Sequence, residues 1–139
     1  MNNIFALFFV FLFIPNMAMA SNVFFSCTAK SGEIIKVYEN KNKFRVSIDN
    51  LVIDSRDSID GMGEDIVKND PDNNSYMEFN AINYYITVGS PNNVKGDELL
   101  TIASLTGGMP DGKLEKKYHC LNDYQNNISK LVDNYLDNQ

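Results

Sequence analysis

The chain has no tryptophan, one histidine and only two cysteines in 139 residues, and each scarcity removes a class of function. Without tryptophan the usual stacking platform for sugars is missing, and only the seven tyrosines could replace it. One histidine (His119) and two cysteines (Cys27, Cys120) do not make a zinc ligand set. The cysteines are too far apart to be a CxxC redox pair. No GxSxG nucleophile elbow occurs, and no GxxxxGK[ST] phosphate loop. Basic residues are outnumbered 12 to 18, giving a net charge of −6, so nucleic acid is disfavoured as a partner because its phosphates require clustered Lys and Arg. The one basic stretch, KLEKKYHC, is short and interrupted by Glu115. There is no internal repeat. These absences predict no catalytic set, no cofactor and no metal site.

What is present begins with an address. Residues 4–14, IFALFFVFLFI, form an uncharged apolar run that Pro15 ends, and Ala18 and Ala20 put small residues at positions −3 and −1 of a signal-peptidase site. A spanning helix needs about 20 apolar residues, so the run is too short to anchor the chain. The expectation is a signal peptide over residues 1–20, cleaved after Ala20. A single secreted domain then covers residues 21–139, carries every charged residue and has no stable membrane anchor. Periplasm or secretion is the expected location.

In an oxidising compartment two cysteines have one internal pairing, and the sequence predicts a Cys27–Cys120 disulfide. A lipid anchor on Cys27 would require a lipobox, whereas Phe24-Phe25-Ser26 precedes it.

Between the cysteines the pattern is that of strands. NVFFSCTAK and EIIKVYE flank a Ser31-Gly32 turn, and in FRVSIDNLVID the residues Phe44, Val46 and Ile48 alternate with polar ones. SYMEFNAINYYITVG reads as two strands turning near Asn80, with Tyr84, Ile86 and Val88 on one face of the second. DELLTIASLTG and KLEKKYHCL read as further strands around a GGMPDG turn, while SRDSIDGMGEDIVKNDPDNNS reads as a long loop with at most one helical turn. The acidic loop fails as an EF-hand, which leaves an irregular calcium site of oxygen ligands as the open alternative. With Gly61 or Gly63 as the loop glycine, Arg56 or Ser58 occupies the first ligand position, and the segment starting at Asp70, Asp72 and Asn74 has Ser75 for glycine and Ala81 for glutamate.

At the end the period changes to that of a helix. Tyr124, Ile128, Leu131, Val132, Tyr135 and Leu136 form one apolar stripe over residues 123–136, with Asp123 as N-cap, predicted to pack on the sheet. The fold class expected is mainly β: a single antiparallel sandwich or barrel of six to eight strands with a C-terminal amphipathic helix.

Phe25, Cys27, Gly32, Val37, Tyr38 and Arg45 to Asp49 together resemble the opening of small bacterial periplasmic β proteins, among them lysozyme inhibitors of the membrane-bound/periplasmic C-type group. The resemblance implies a periplasmic β-barrel or sandwich and a protein-binding function. It carries over no inhibitory site, because that group's Ser/Lys-Tyr loop has no assigned counterpart in this chain and the C-terminal helix is additional. The expected function is therefore an exported, non-enzymatic binding protein, either an inhibitor of an envelope hydrolase or an immunity protein against a secreted toxin. The acidic balance makes a basic protein the natural electrostatic partner. The alternative is an envelope structural or assembly factor acting through a sheet edge or the C-terminal helix.

Overall fold

The computed structural model describes residues 22–62, 67–68, 75–91 and 96–131. The signal segment, the loop positions Gly63, Asp70, Asp72 and Asn74 weighed and rejected for an EF-hand, and the helix positions from Val132 onward lie outside the described residues.

Two antiparallel five-stranded sheets pack as a sandwich. Strands β1 (Val23–Thr28), β2 (Ile34–Asn40), β3 (Lys43–Ile48) and β4 (Leu51–Asp54) form a meander in the first sheet. Strands β5 (Val67–Lys68), β6 (Tyr76–Asn80), β7 (Tyr84–Gly89), β8 (Leu99–Thr106) and β9 (Met109–His119) form the second. The short β10 (Gln125–Asn126) returns to the first sheet beside β1, so its order is β10-β1-β2-β3-β4. Two isolated bridges, Ala29 with Cys120 and Ser55 with Ala81, stitch the sheets at opposite corners without closing a barrel.

The alternation seen in the sequence is the one that folds. Ile35, Val37, Phe44, Val46, Met77, Ile86, Val88 and Leu100 are fully buried between the sheets, each worth roughly 1.5–3 kcal/mol of burial when large. Phe44 bridges the layers, 5.4 Å from the Phe24 ring and 5.0 Å from that of Phe79. Phe24 and Phe25 are consecutive yet both buried, because the β1–β2 register shifts between Val23 and Phe25.

Ten strands are described where six to eight were expected, and two further elements differ from the sequence reading. FRVSIDNLVID is two strands, since Asp49 (φ 50°) and Asn50 turn the chain back and Asp49 Oδ1 accepts the Ile34 N–H at 2.8 Å. An Asp-Asn pair takes positive φ at low cost, and the apolar run Leu51-Val52-Ile53 had already broken the alternation. The C-terminal helix starts at Ser129, not after Asp123, and α1 is described over Ser129–Leu131. Asp123 does not cap it. Its carboxylate instead accepts the Thr28 N–H (3.0 Å) and the Thr28 hydroxyl (2.6 Å), which tie the segment into an extended path so that β10 pairs with β1. These bonds hold the Asp123 carboxyl below the usual carboxylate range. The apolar stripe still finds the core, with Ile128 and Leu131 fully buried and Tyr124 packed against it. Among the described residues, the long acidic loop contains a 3₁₀ turn, Ile59–Gly61, and the two-residue β5.

Candidate functional site

Cys27 and Cys120 are bonded to each other, with Cα atoms 5.6 Å apart and both side chains buried. The bond joins β1 to the residue following β9, beside the Ala29–Cys120 bridge. Such a bond fits an oxidising compartment, and among the described residues no helix is long and apolar enough to cross a membrane. The sequence also singled out His119. It sits exposed on β9, and its carbonyl accepts the Lys30 N–H at 2.7 Å.

The acidic loop is held by local bonds. Asp57 pairs with Arg56 at 3.0 Å, and Asp60 is kept below the usual carboxylate range by hydrogen bonds from Ser58 and then Asn42. Among the described residues no group of three or more His, Cys, Asp or Glu is placed to hold a metal ion.

The feature that sequence reasoning missed is a cleft of about 820 Å³ where the two sheets part. On one side runs β4 with Ser55. On the other are the β6–β7 turn, Tyr84 and Ile102, with Lys43, Glu115 and Lys116 at the rim. Its origin lies in the register. Ile35, Ile48 and Leu51 form one cross-strand row on the inner face, yet Ile35 is sealed and Leu51 is 52% exposed. The first sheet therefore leaves its own core uncovered at β4. Ile82, at the facing turn, is 79% exposed, while Ile102 beneath is nearly sealed. An open concavity with an apolar floor and a few charges is the usual form of a binding site.

The charges around the cleft are unevenly matched. Asp54 takes Arg45 in a two-pronged pair, Nε to Oδ1 at 2.7 Å and Nη2 to Oδ2 at 2.9 Å. This contact raises the Arg45 pKa and lowers that of Asp54. Glu115 lies 3.7 Å from Lys113. Lys43 and Lys116 close no ion pair among the described residues. Lys116 Nζ sits 5.7 Å from the Tyr118 ring centroid, and Lys43 adds to the positive field at Asp54.

The β8–β9 hairpin forms a second, stiffer feature. Gly107 and Gly108 both have positive φ, as a two-residue turn of this hand requires, so the stretch is a hairpin as expected. Met109 to Gly112, read as turn, belong instead to β9, and the turn is these two glycines alone. Next to it Asp111 accepts the Ser104 hydroxyl (2.5 Å), the Thr106 hydroxyl (2.8 Å) and the Lys113 N–H (2.8 Å). These donors, Ser104 first, hold its carboxyl at about 2. An ordinary Asp titrates near 3.9. Because the folded value is depressed, the clasp's contribution is complete above the ordinary carboxylate range and is lost as pH falls through about 2. A carboxyl ¹³C titration should show Asp111 still ionised at pH 3. A midpoint near 4 would mean the clasp is absent in solution.

No family model matches this chain, and neither does any curated protein or solved structure.

Proposed function

We propose that this chain is an exported binding protein that engages a protein partner in the envelope, as an inhibitor of a hydrolase or as an immunity protein against a secreted toxin. The observation that carries the reading is the cleft: Leu51 and Ile82 are held open to solvent over a core residue, Ile102, by a scaffold that a disulfide locks. Exposed apolar side chains grouped over a concavity are costly unless something covers them. The resemblance of the opening segment to periplasmic lysozyme inhibitors points in the same direction. A net charge of −6 would steer a basic partner at long range, with local contacts deciding the fit. The disulfide suits the periplasm, the compartment this reading requires.

The test is capture from envelope extract on immobilised mature protein, with mass spectrometry of the bound material and an Ile82→Asp variant alongside. Ile82 is so exposed that the change should leave the fold intact. One dominant protein retained by the wild type, and at least about tenfold less by the variant, is the expected result. Identical capture by both would remove the cleft from the interface.

A further inference from the structure

The cleft is lined by Leu51, Val52, Ile53, Asp54 and Ser55 in unbroken succession. Along a strand, alternate residues point to opposite faces, so a pocket touching all five runs along the edge of β4 and not over one face. The backbone polarity of that edge follows from two bonds. Ser55 N–H donates to the Phe44 carbonyl at 2.8 Å, on the β3 side. Arg56 N–H donates to the Asn80 carbonyl at 2.8 Å, on the β6 side. Alternation in an antiparallel ladder then turns Leu51 and Ile53 toward β3, and turns the N–H and C=O of Val52 and the N–H of Asp54 outward into the cleft, while the Asp54 carbonyl faces the Ile82 N–H across the Ser55–Ala81 bridge. β6 takes up this edge at Arg56 and then diverges, and no described strand pairs with β4 on that side.

Of the four edge strands, β10, β4, β5 and β9, the two long enough to compare here, β9 and β4, are treated differently. On β9, Pro110, three lysines and two register shifts against β8 blunt the edge, which are the usual protections against stray pairing. On β4 the sequence is LVID, the register with β3 is regular, and there is no lysine, proline or bulge. Among the described residues beside it, Lys43 and Lys116 close no ion pair, although Asp57 senses Lys43 and Glu33 senses Lys116, whereas Asp54 and Glu115 are paired with Arg45 and Lys113.

From this we infer that the β4 edge is a docking slot for an extended segment of a protein partner, which adds as a strand through both backbone groups of Val52 and the Asp54 N–H, packs apolar residues against Leu51 and Ile82, and brings a carboxylate to Lys43 or Lys116. This inference rests on the protein-binding reading above and specifies how binding occurs. Main-chain pairing would supply affinity, and the apolar floor with its cations would supply selectivity. A net acidic protein that presents a locally cationic slot separates long-range approach from local fit.

The probe is a capped hexapeptide, acetyl-Glu-Val-Thr-Val-Thr-Glu-amide, titrated into ¹⁵N-labelled mature protein, with the same peptide flanked by Lys as comparison. The amide protons of Val52 and Asp54 should move downfield and become protected from exchange. The Lys-flanked peptide should bind at least about tenfold more weakly. Val52→Pro deletes one outward N–H that no described strand uses, a position where proline is tolerated, and should weaken binding by about tenfold with melting unchanged. Should that variant melt early, Lys43→Glu with Lys116→Glu tests the same slot from exposed side chains, and should reverse the preference between the two peptides. Shifts confined to another surface, equal binding of both peptides, or full binding by Val52→Pro would overturn the assignment. A wild-type dimer that Val52→Pro makes monomeric in sedimentation would give the slot to a second copy of this chain and overturn the partner assignment. Equal capture of an envelope protein by wild type and Val52→Pro would discard the slot while leaving the protein-binding reading in place.

Discussion

Replacing Cys27 by Ser is expected to cost about 4–5 kcal/mol of unfolding free energy, enough to leave a domain of this size marginal at 37 °C. The cysteines are 93 residues apart in sequence, so the bond removes a very large loop from the unfolded ensemble, and chain entropy sets the scale of the effect. The Cα separation of 5.6 Å lies in the ordinary range for a disulfide. Cys120→Ser should lose the same amount, and the double variant no more than either single one, because all three break one bond. Urea unfolding of the oxidised protein against the three variants checks this. Two alkylatable thiols in protein taken from its native compartment would show that the bond does not form there.

The second large effect should come from one hydrogen atom. Gly89 closes β7 at φ +115°, and a Cβ there would lie 2.4 Å from the Ser75 carbonyl oxygen, 2.7 Å from Tyr76 Cα and 3.0 Å from Ile128 Cδ1. Two of these neighbours are backbone of the adjoining strand and its approach, so they cannot rotate away. Gly89→Ala should therefore cost about 3–5 kcal/mol, combining an unfavourable φ with overpacking. Gly32 supplies the comparison. Its φ is +106°, but nothing lies within 4 Å of a built Cβ, so Gly32→Ala should cost only about 1–2 kcal/mol. Equal losses at the two sites in chemical denaturation would show that φ alone matters and that the contact between β6, β7 and Ile128 is looser than described.

These contrasts bear on what a sequence discloses. Strand identity was legible wherever one face is buried, because burial forces alternation, as at Phe44, Val46 and Ile48. The disulfide was legible because two cysteines have one pairing, and the sandwich because successive strands met turn signals. The reading lost the chain where a distant partner outbids local preference. The period of Tyr124, Ile128 and Leu131 is helical, yet β1 offers an unpaired edge, and Thr28 supplies two donors to Asp123, which together draw residues 125 and 126 into a sheet. The cleft was illegible for a related reason. Leu51 has the same apolar character as Ile35 and Ile48, and only the parting of the sheets decides which of the three stays wet.

The position of β1 between β2 and β10 has a consequence in time. Phe25 and Ser26 pair with Asn126 and Gln125, Thr28 binds Asp123, and Cys27 waits for Cys120. The earliest of the described strands is therefore among the last to be satisfied. Contacts of such long sequence separation slow folding, since the intervening chain must be gathered before they form. A chain growing from its N-terminus would leave β1 unsatisfied until residues 120 to 126 had emerged. Delay of this kind is a hazard where a chain folds as it is made, and it accords with the proposal above that this chain is exported before it folds.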